Sequence, residues 1–189
     1  MKKGRIIILS GPSGAGKTTL HDRLLKAPGF AGRLIRSISA TTRKPRGRER
    51  HGREYLFLSQ AMFEHKIRTG QFLEWMKVFD NYYGTPLKNV RAALAQGKNV
   101  LLCIDVKGAR AVKKKIPDAL MIFVKTPTLS ELRRRLEGRG TDTPASVALR
   151  LKTARLELKE AGSYDHIIVN DKVETAFAQL KALLAKALS

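Results

Sequence analysis

Acidic residues are scarce in this 189-residue sequence. Asp and Glu number 16 against 37 Lys and Arg, a formal net charge of +21. A surplus of that size favours polyanionic partners, whether nucleotide phosphates, nucleic acid or an anionic membrane, and says nothing of the fold. Cysteine is reduced to Cys103, which has no thiol partner for an intramolecular disulfide or a zinc site and fits a reducing compartment. Long apolar runs are also missing. Ile6, Ile7, Ile8 and Leu9 follow an N-terminal charge but are too few for a signal peptide, and nothing approaches the roughly 20 residues of a membrane span, so a soluble, cytoplasmic protein is expected. The four histidines, His21, His51, His65 and His166, lack metal-ligand spacing, and there are no repeats or low-complexity linkers. With 43% hydrophobic and 28% charged residues the chain is otherwise ordinary, and its length suits one sizeable core with small insertions.

Short apolar, β-branched runs alternate with stretches of helical period. Residues 5–9, 99–104, 120–125 and 166–169 read as buried strands, and 18–26, 86–96, 129–137, 145–161 and 173–188 as helices. This strand–helix alternation predicts an α/β fold, a parallel sheet flanked by helices. Two segments interrupt it. Residues 37–85 read as a small β-rich insertion, with strands at 54–58 and 72–79 and a helix at 61–69. Residues 135–155 begin with an Arg-rich stretch holding Gly138 and Gly140, the composition of a lid that closes over phosphate. The core is then 1–36, 86–134 and 156–189.

Gly11, Pro12, Ser13, Gly14, Ala15, Gly16, Lys17 and Thr18 satisfy the G-x-x-x-x-G-K-[ST] phosphate-loop pattern, with a strand before it and a helix after. Glycines let backbone N–H groups turn inward around phosphate oxygens, and the helix adds its positive end. Lys17 then serves the β- and γ-phosphates, and the Thr18 hydroxyl is a ligand for Mg²⁺. The pattern predicts nucleoside triphosphate binding and leaves the acceptor open.

Further blocks stand in order along nearly the whole chain: SISATTRKPR at 37–46, GREY at 52–55, FLEW at 72–75, NYYGT at 81–85, IDV at 104–106, RLEGRG at 135–140 and IVND at 168–171. Together with 11–19, where Thr19 follows the loop, the set resembles the guanylate kinases, P-loop enzymes that phosphorylate GMP with ATP and Mg²⁺. The resemblance implies a core, a GMP-binding insertion at 37–85 and an arginine-bearing lid at 135–155. It assigns Arg43, Arg46, Tyr55 and Tyr83 to the GMP phosphate, Glu74 to the guanine edge, Ser39, Gly84 and Thr85 to further GMP contacts, and Asp105 to a second carboxylate near the base. Arg135, Arg139 and Arg150 match lid arginines that, with Lys17 and Arg43, stabilise the transferring phosphoryl group, and Asn170 matches a position near adenine. A carboxylate suits guanine because N1–H and the 2-amino group are adjacent donors that adenine lacks. Arginine suits phosphate because its donors are bidentate.

The sequence departs from the family at Cys103, where an acidic residue is common, and at Lys107, where glutamine is; a neutral thiol is no hard ligand for Mg²⁺. The site cations leave most of the surplus charge unassigned, much of it at 43–53 and 107–115, and weak, non-sequence-specific nucleic-acid binding is expected from it. Two alternatives stay open: a guanylate-kinase-like module that binds a partner without catalysis, and a P-loop kinase with another acceptor. Lys17 and Thr18 argue against the first, and Glu74 with Tyr55 and Tyr83 against the second. ATP and GMP are the expected substrates, with dGMP a further candidate.

Overall fold

A computed structural model describes residues 3–78, 80–138 and 143–188. In chain order the strands are β1 (Ile6–Ser10), β2 (Leu34–Arg36), β3 (Ala40–Thr41), β4 (Leu56–Phe57), β5 (Phe72–Val78), β6 (Asn81–Pro86), β7 (Asn99–Cys103), β8 (Leu120–Lys125) and β9 (His166–Val169). The helices are α1 (Lys17–Lys26), α2 (Gln60–Arg68), α3 (Leu87–Ala95), α4 (Val106–Lys115), α5 (Leu129–Glu137), α6 (Pro144–Lys159) and α7 (Val173–Ala187). A five-stranded sheet runs β2-β7-β1-β8-β9, with β2/β7, β1/β8 and β8/β9 parallel. A four-stranded sheet runs β4-β3-β6-β5 and mixes one parallel pair with antiparallel ones. The expected α/β architecture is present, and among the described residues no helix is long and apolar enough to cross a membrane.

The chain forms two compact units. One comprises Ile7–Ala31, Cys103–Val106 and Leu120–Ser189. Its strand β1 is buried along its whole length, which is why the sequence there is a continuous apolar run and not an alternation. Helix α1 packs with α7, and α5 with α6. Leu132, Leu136, Val147, Leu151 and Ala154 form the seam between α5 and α6. Thr128 and Thr143 start these two helices, their hydroxyls accepting from Glu131 N–H and Ser146 N–H, and Pro144 occupies the first turn of α6, where its missing N–H costs nothing.

The other unit comprises Met1–Ile6, Gly32–Leu102 and Lys107–Ala119. Its four-stranded sheet closes over Phe63 of α2, which stacks on Phe72 and Tyr82, with Ala40, Leu56 and Leu58 around them. Ser59 caps α2 by accepting from Met62 N–H. Helix α4 was not among the expected helices. Val106, Ala109 and Val112 are buried at helical spacing, but the Lys and Arg residues between them mask that period in the sequence.

Candidate active site

The unit carrying β1 holds a phosphate loop. Gly11, Gly14 and Gly16 have φ of 130°, 92° and 89°, a region closed to most L side chains. A Cβ at Gly11 would overlap the Val124 carbonyl, and one at Gly16 the side-chain amide of Asn170. The loop thus turns in a space that only glycine leaves open. Helix α1 begins without a side-chain cap, so no capping side chain competes for the N–H groups of its first turn, the donors an anion site uses. The Lys17 ammonium donates to the carbonyls of Gly11 (2.6 Å) and Pro12 (2.8 Å), which hold it over the loop. Thr18 and Thr19 are exposed on that first turn.

Asn170, at the end of β9, is buried, and its amide donates to the Ala15 carbonyl at 2.8 Å. The expected adenine-side residue therefore also braces the phosphate loop from beneath. Arg135 donates Nε–H to Glu131 (2.7 Å) and a terminal N–H to the carbonyls of Asn170 (2.9 Å) and Asp171 (3.0 Å). Arg134 and Arg135 together hold the Glu131 carboxyl far below its ordinary range, at about 2. Arg150 donates to Ser13 Oγ of the loop at 3.2 Å. Lys17, Arg135, Arg150 and Asn170 thus gather around one loop, while Arg139 lies outside the described residues. Asp105 is half-buried just after β7, two residues from the half-buried Cys103. Burial pushes the Tyr164 phenol up to about 12 against the opposing influence of the Ser10 hydroxyl, and the Asp105 charge adds a smaller upward push.

The other unit holds a second polar cluster. Arg43 follows β3 and is only 9% exposed. Its guanidinium makes a two-pronged pair with Glu49 (2.8 and 3.0 Å), donates to the Lys44 carbonyl, and lies 5.3 Å from the Tyr55 ring and 5.9 Å from the Phe57 ring. Hydrogen bonding to Glu49 is the main reason Arg43 titrates above its ordinary value, with Tyr83 adding to it, and the same bond lowers Glu49. Tyr55 and Tyr83 meet edge to face at 6.2 Å. Arg46 is exposed, and its N–H also donates to Glu49. Glu74 and Thr85 are cross-strand partners on β5 and β6. Both are buried, and the Thr85 hydroxyl donates to the Glu74 carboxylate at 2.6 Å. Gly84 sits where a Cβ would press on Phe63, Phe72 and the Glu74 carbonyl, and half-buried Ser39 pairs its carbonyl with Leu56 N–H.

Sequence reasoning missed two carboxylates that organise these clusters, Glu49 and Glu131. The available signals were slight: Glu49 is the one acid within the cationic run 43–53, and Glu131 lies one helical turn before Arg134 and Arg135.

Comparison with known proteins decides the family. The guanylate kinase family model matches residues 3–187. The chain belongs to the guanylate kinase family. A guanylate kinase of Rubrobacter xylanophilus is 47% identical over 98% of this chain and 96% of its own length, and one of Myxococcus xanthus is 45% identical over 96% and 86%. The crystal structure of guanylate kinase from Anaplasma phagocytophilum superposes with a TM-score of 0.81 at 30% identity, covering all of this chain and 88% of that one. The guanylate kinase fold therefore extends over both units, each with its own polar cluster.

Proposed function

We propose that the chain transfers the γ-phosphoryl group of ATP to GMP, yielding ADP and GDP, with Mg²⁺ as cofactor. The observation that carries the acceptor assignment is the buried Glu74–Thr85 pair. The phosphate loop supports a nucleoside triphosphate as donor but is neutral on the acceptor. A buried carboxylate is an acceptor-only group that matches two adjacent N–H donors, and guanine presents such a pair where adenine does not. Arg43, Arg46, Tyr55 and Tyr83 bind the GMP phosphate, and Ser39, Gly84 and Asp105 complete the acceptor contacts. In the reaction a GMP phosphate oxygen forms a bond to the γ-phosphorus as the bond to the β–γ bridging oxygen breaks, and ADP leaves. The nucleophile is already anionic, so no general base is needed. Lys17, Arg135, Arg139 and Arg150 neutralise charge spreading over the transferring group.

Among the described residues no group of three His, Cys, Asp or Glu side chains is placed to hold a metal. Phosphate oxygens and water, with the exposed Thr18 hydroxyl as the protein ligand, make an all-oxygen set that suits Mg²⁺. When bound, the ion supplies charge neutralisation between the β- and γ-phosphates. The functional division is a core at 1–36, 86–134 and 156–189, a GMP-binding part at 37–85 and an arginine-bearing segment at 135–155. A cytoplasmic setting keeps Cys103 reduced.

Glu74→Gln is the test of this reading. It keeps the shape, removes the charge and turns one acceptor atom into a donor facing a guanine donor. The expected loss in kcat/KM for GMP is on the order of 2–4 kcal/mol, with the KM for ATP little changed. Unaltered GMP kinetics would remove Glu74 from the base-reading role.

A further inference from the structure

The unit that binds the acceptor carries a second cleft on the opposite side of its small sheet. In β4 and its flanks the side chains alternate: Tyr55 and Phe57 lie under the Arg43 guanidinium, while Leu56 and Leu58 line a cavity of about 600 Å³. That volume falls within the range of about 300–1,000 Å³ that accommodates small organic ligands. Its floor is apolar, with Ala40, Leu56, Leu58, Phe72, Pro86 and Leu87. Among the described residues its charged lining is all cationic, Lys66, Lys88 and Arg91, with no Asp or Glu.

These cations are disposed toward a ligand. Lys88 and Arg91 stand three apart on α3, whose opposite side is buried through Val90 and Ala93, so both project from the same exposed face. Among the described residues neither forms an ion pair with a carboxylate. Among the described residues the Lys66 ammonium donates to the neutral Gln71 side chain, at 2.8 Å, and pairs with no carboxylate. An apolar floor with three cations at its edge, in place of the mixed charges of an ordinary surface, is complementary to a molecule with a flat or aliphatic body and an anionic head.

We propose that this cleft is a binding site for a small organic anion, its apolar body against Leu56, Leu58 and Phe72 and its phosphate, carboxylate or sulfonate at Lys66, Lys88 and Arg91. The site is separate from the GMP contacts and does not depend on their assignment, because none of its cations belongs to the Arg43 cluster. The first turn of α3 adds to it. That helix has no side-chain cap, and its Leu87 N–H donates to the Gln71 carbonyl.

The experiment is a fluorescence titration with anilinonaphthalene sulfonate, a fused aromatic body carrying one anion. It is performed on the full chain with saturating GMP and a non-hydrolysable ATP analogue, so that both nucleotide sites are filled. The expected result is saturable binding at one site, with amide NMR shifts centred on Gly70, Gln71, Lys88 and Arg91. The K88E/R91E double variant should weaken binding about tenfold or more while its melting temperature and its KM for GMP stay those of the parent. Arg91→Lys, which keeps the charge, should retain binding. Equal affinity in the double variant would overturn the proposal, as would shifts located elsewhere. So would self-association that excludes the dye as protein concentration rises, since a second copy would then be what covers the cleft.

Discussion

Arg43 has fewer free donors than a phosphate-gripping arginine on an open surface. Of its five N–H groups, two are directed to the Glu49 carboxylate and one to the Lys44 carbonyl, and the guanidinium plane rests against Tyr55 and Phe57. On the proposed assignment of Arg43 to the GMP phosphate, the arginine is already fixed in position, and the entropy of ordering its side chain is lost on folding and not on binding. Glu49 is the residue that fixes it. Glu49→Gln should raise the KM for GMP roughly five- to tenfold, leave the KM for ATP unchanged and reduce kcat less than kcat/KM. Steady-state kinetics with each substrate varied in turn makes the check, and a KM for GMP like the parent's would show that Arg43 is ordered without its carboxylate. Glu49 was hidden in the sequence for a physical reason. Which of six neighbouring cations a lone acid will pair with depends on the turn at 43–49, and charge alone does not encode that turn. Glu74 was legible only through the FLEW block at 72–75 that carries the family resemblance, because a lone carboxylate beside Trp75 otherwise reads as a solvent-facing strand residue, and its burial comes from the pairing of β5 with β6.

At the level of elements, the phosphate loop is shaped from several sides. Glycines supply its turns, Leu132 and Leu136 of α5 lie beneath Gly14, and the Asn170 amide holds the Ala15 carbonyl. Removing that amide leaves a buried carbonyl without its donor, at about 1–3 kcal/mol. Asn170→Ala should therefore raise the KM for ATP on the order of tenfold and lower the melting temperature, with little effect on the KM for GMP. An unchanged KM for ATP would mean that the loop keeps its shape unaided. The loop, α1, α5 and the long strands were readable because glycine spacing, continuous burial and helical period are local signals. Helix α4 was not, since its cations outnumber its three buried apolar positions. Strands β2, β3 and β6 also escaped. The first two have three and two residues, and β6 places Tyr82, Tyr83 and Gly84 in a register set by β3 and β5, partners distant in sequence.

For the molecule as a whole, the unassigned charge is the feature least tied to the kinase chemistry. The exposed cations at 44–53 belong to the segment that carries Arg43, so a polyanion attracted there would meet the proposed acceptor-phosphate cluster. Labelled oligonucleotide should bind weakly at about 50 mM salt, lose affinity steeply by about 200 mM and be displaced by GMP. No binding at the lower salt would show the charge to be dispersed and solvated. The central claim is narrower: the phosphate loop and the Glu74–Arg43 cluster belong to one ATP:GMP phosphotransferase. ADP release in a coupled assay, with ATP, Mg²⁺ and each of GMP, AMP, CMP and UMP in turn, tests it most directly. Turnover with GMP should exceed that with the other three acceptors by orders of magnitude and disappear in Lys17→Ala. ATP binding without GMP-dependent ADP release, or equal turnover with AMP, would contradict it.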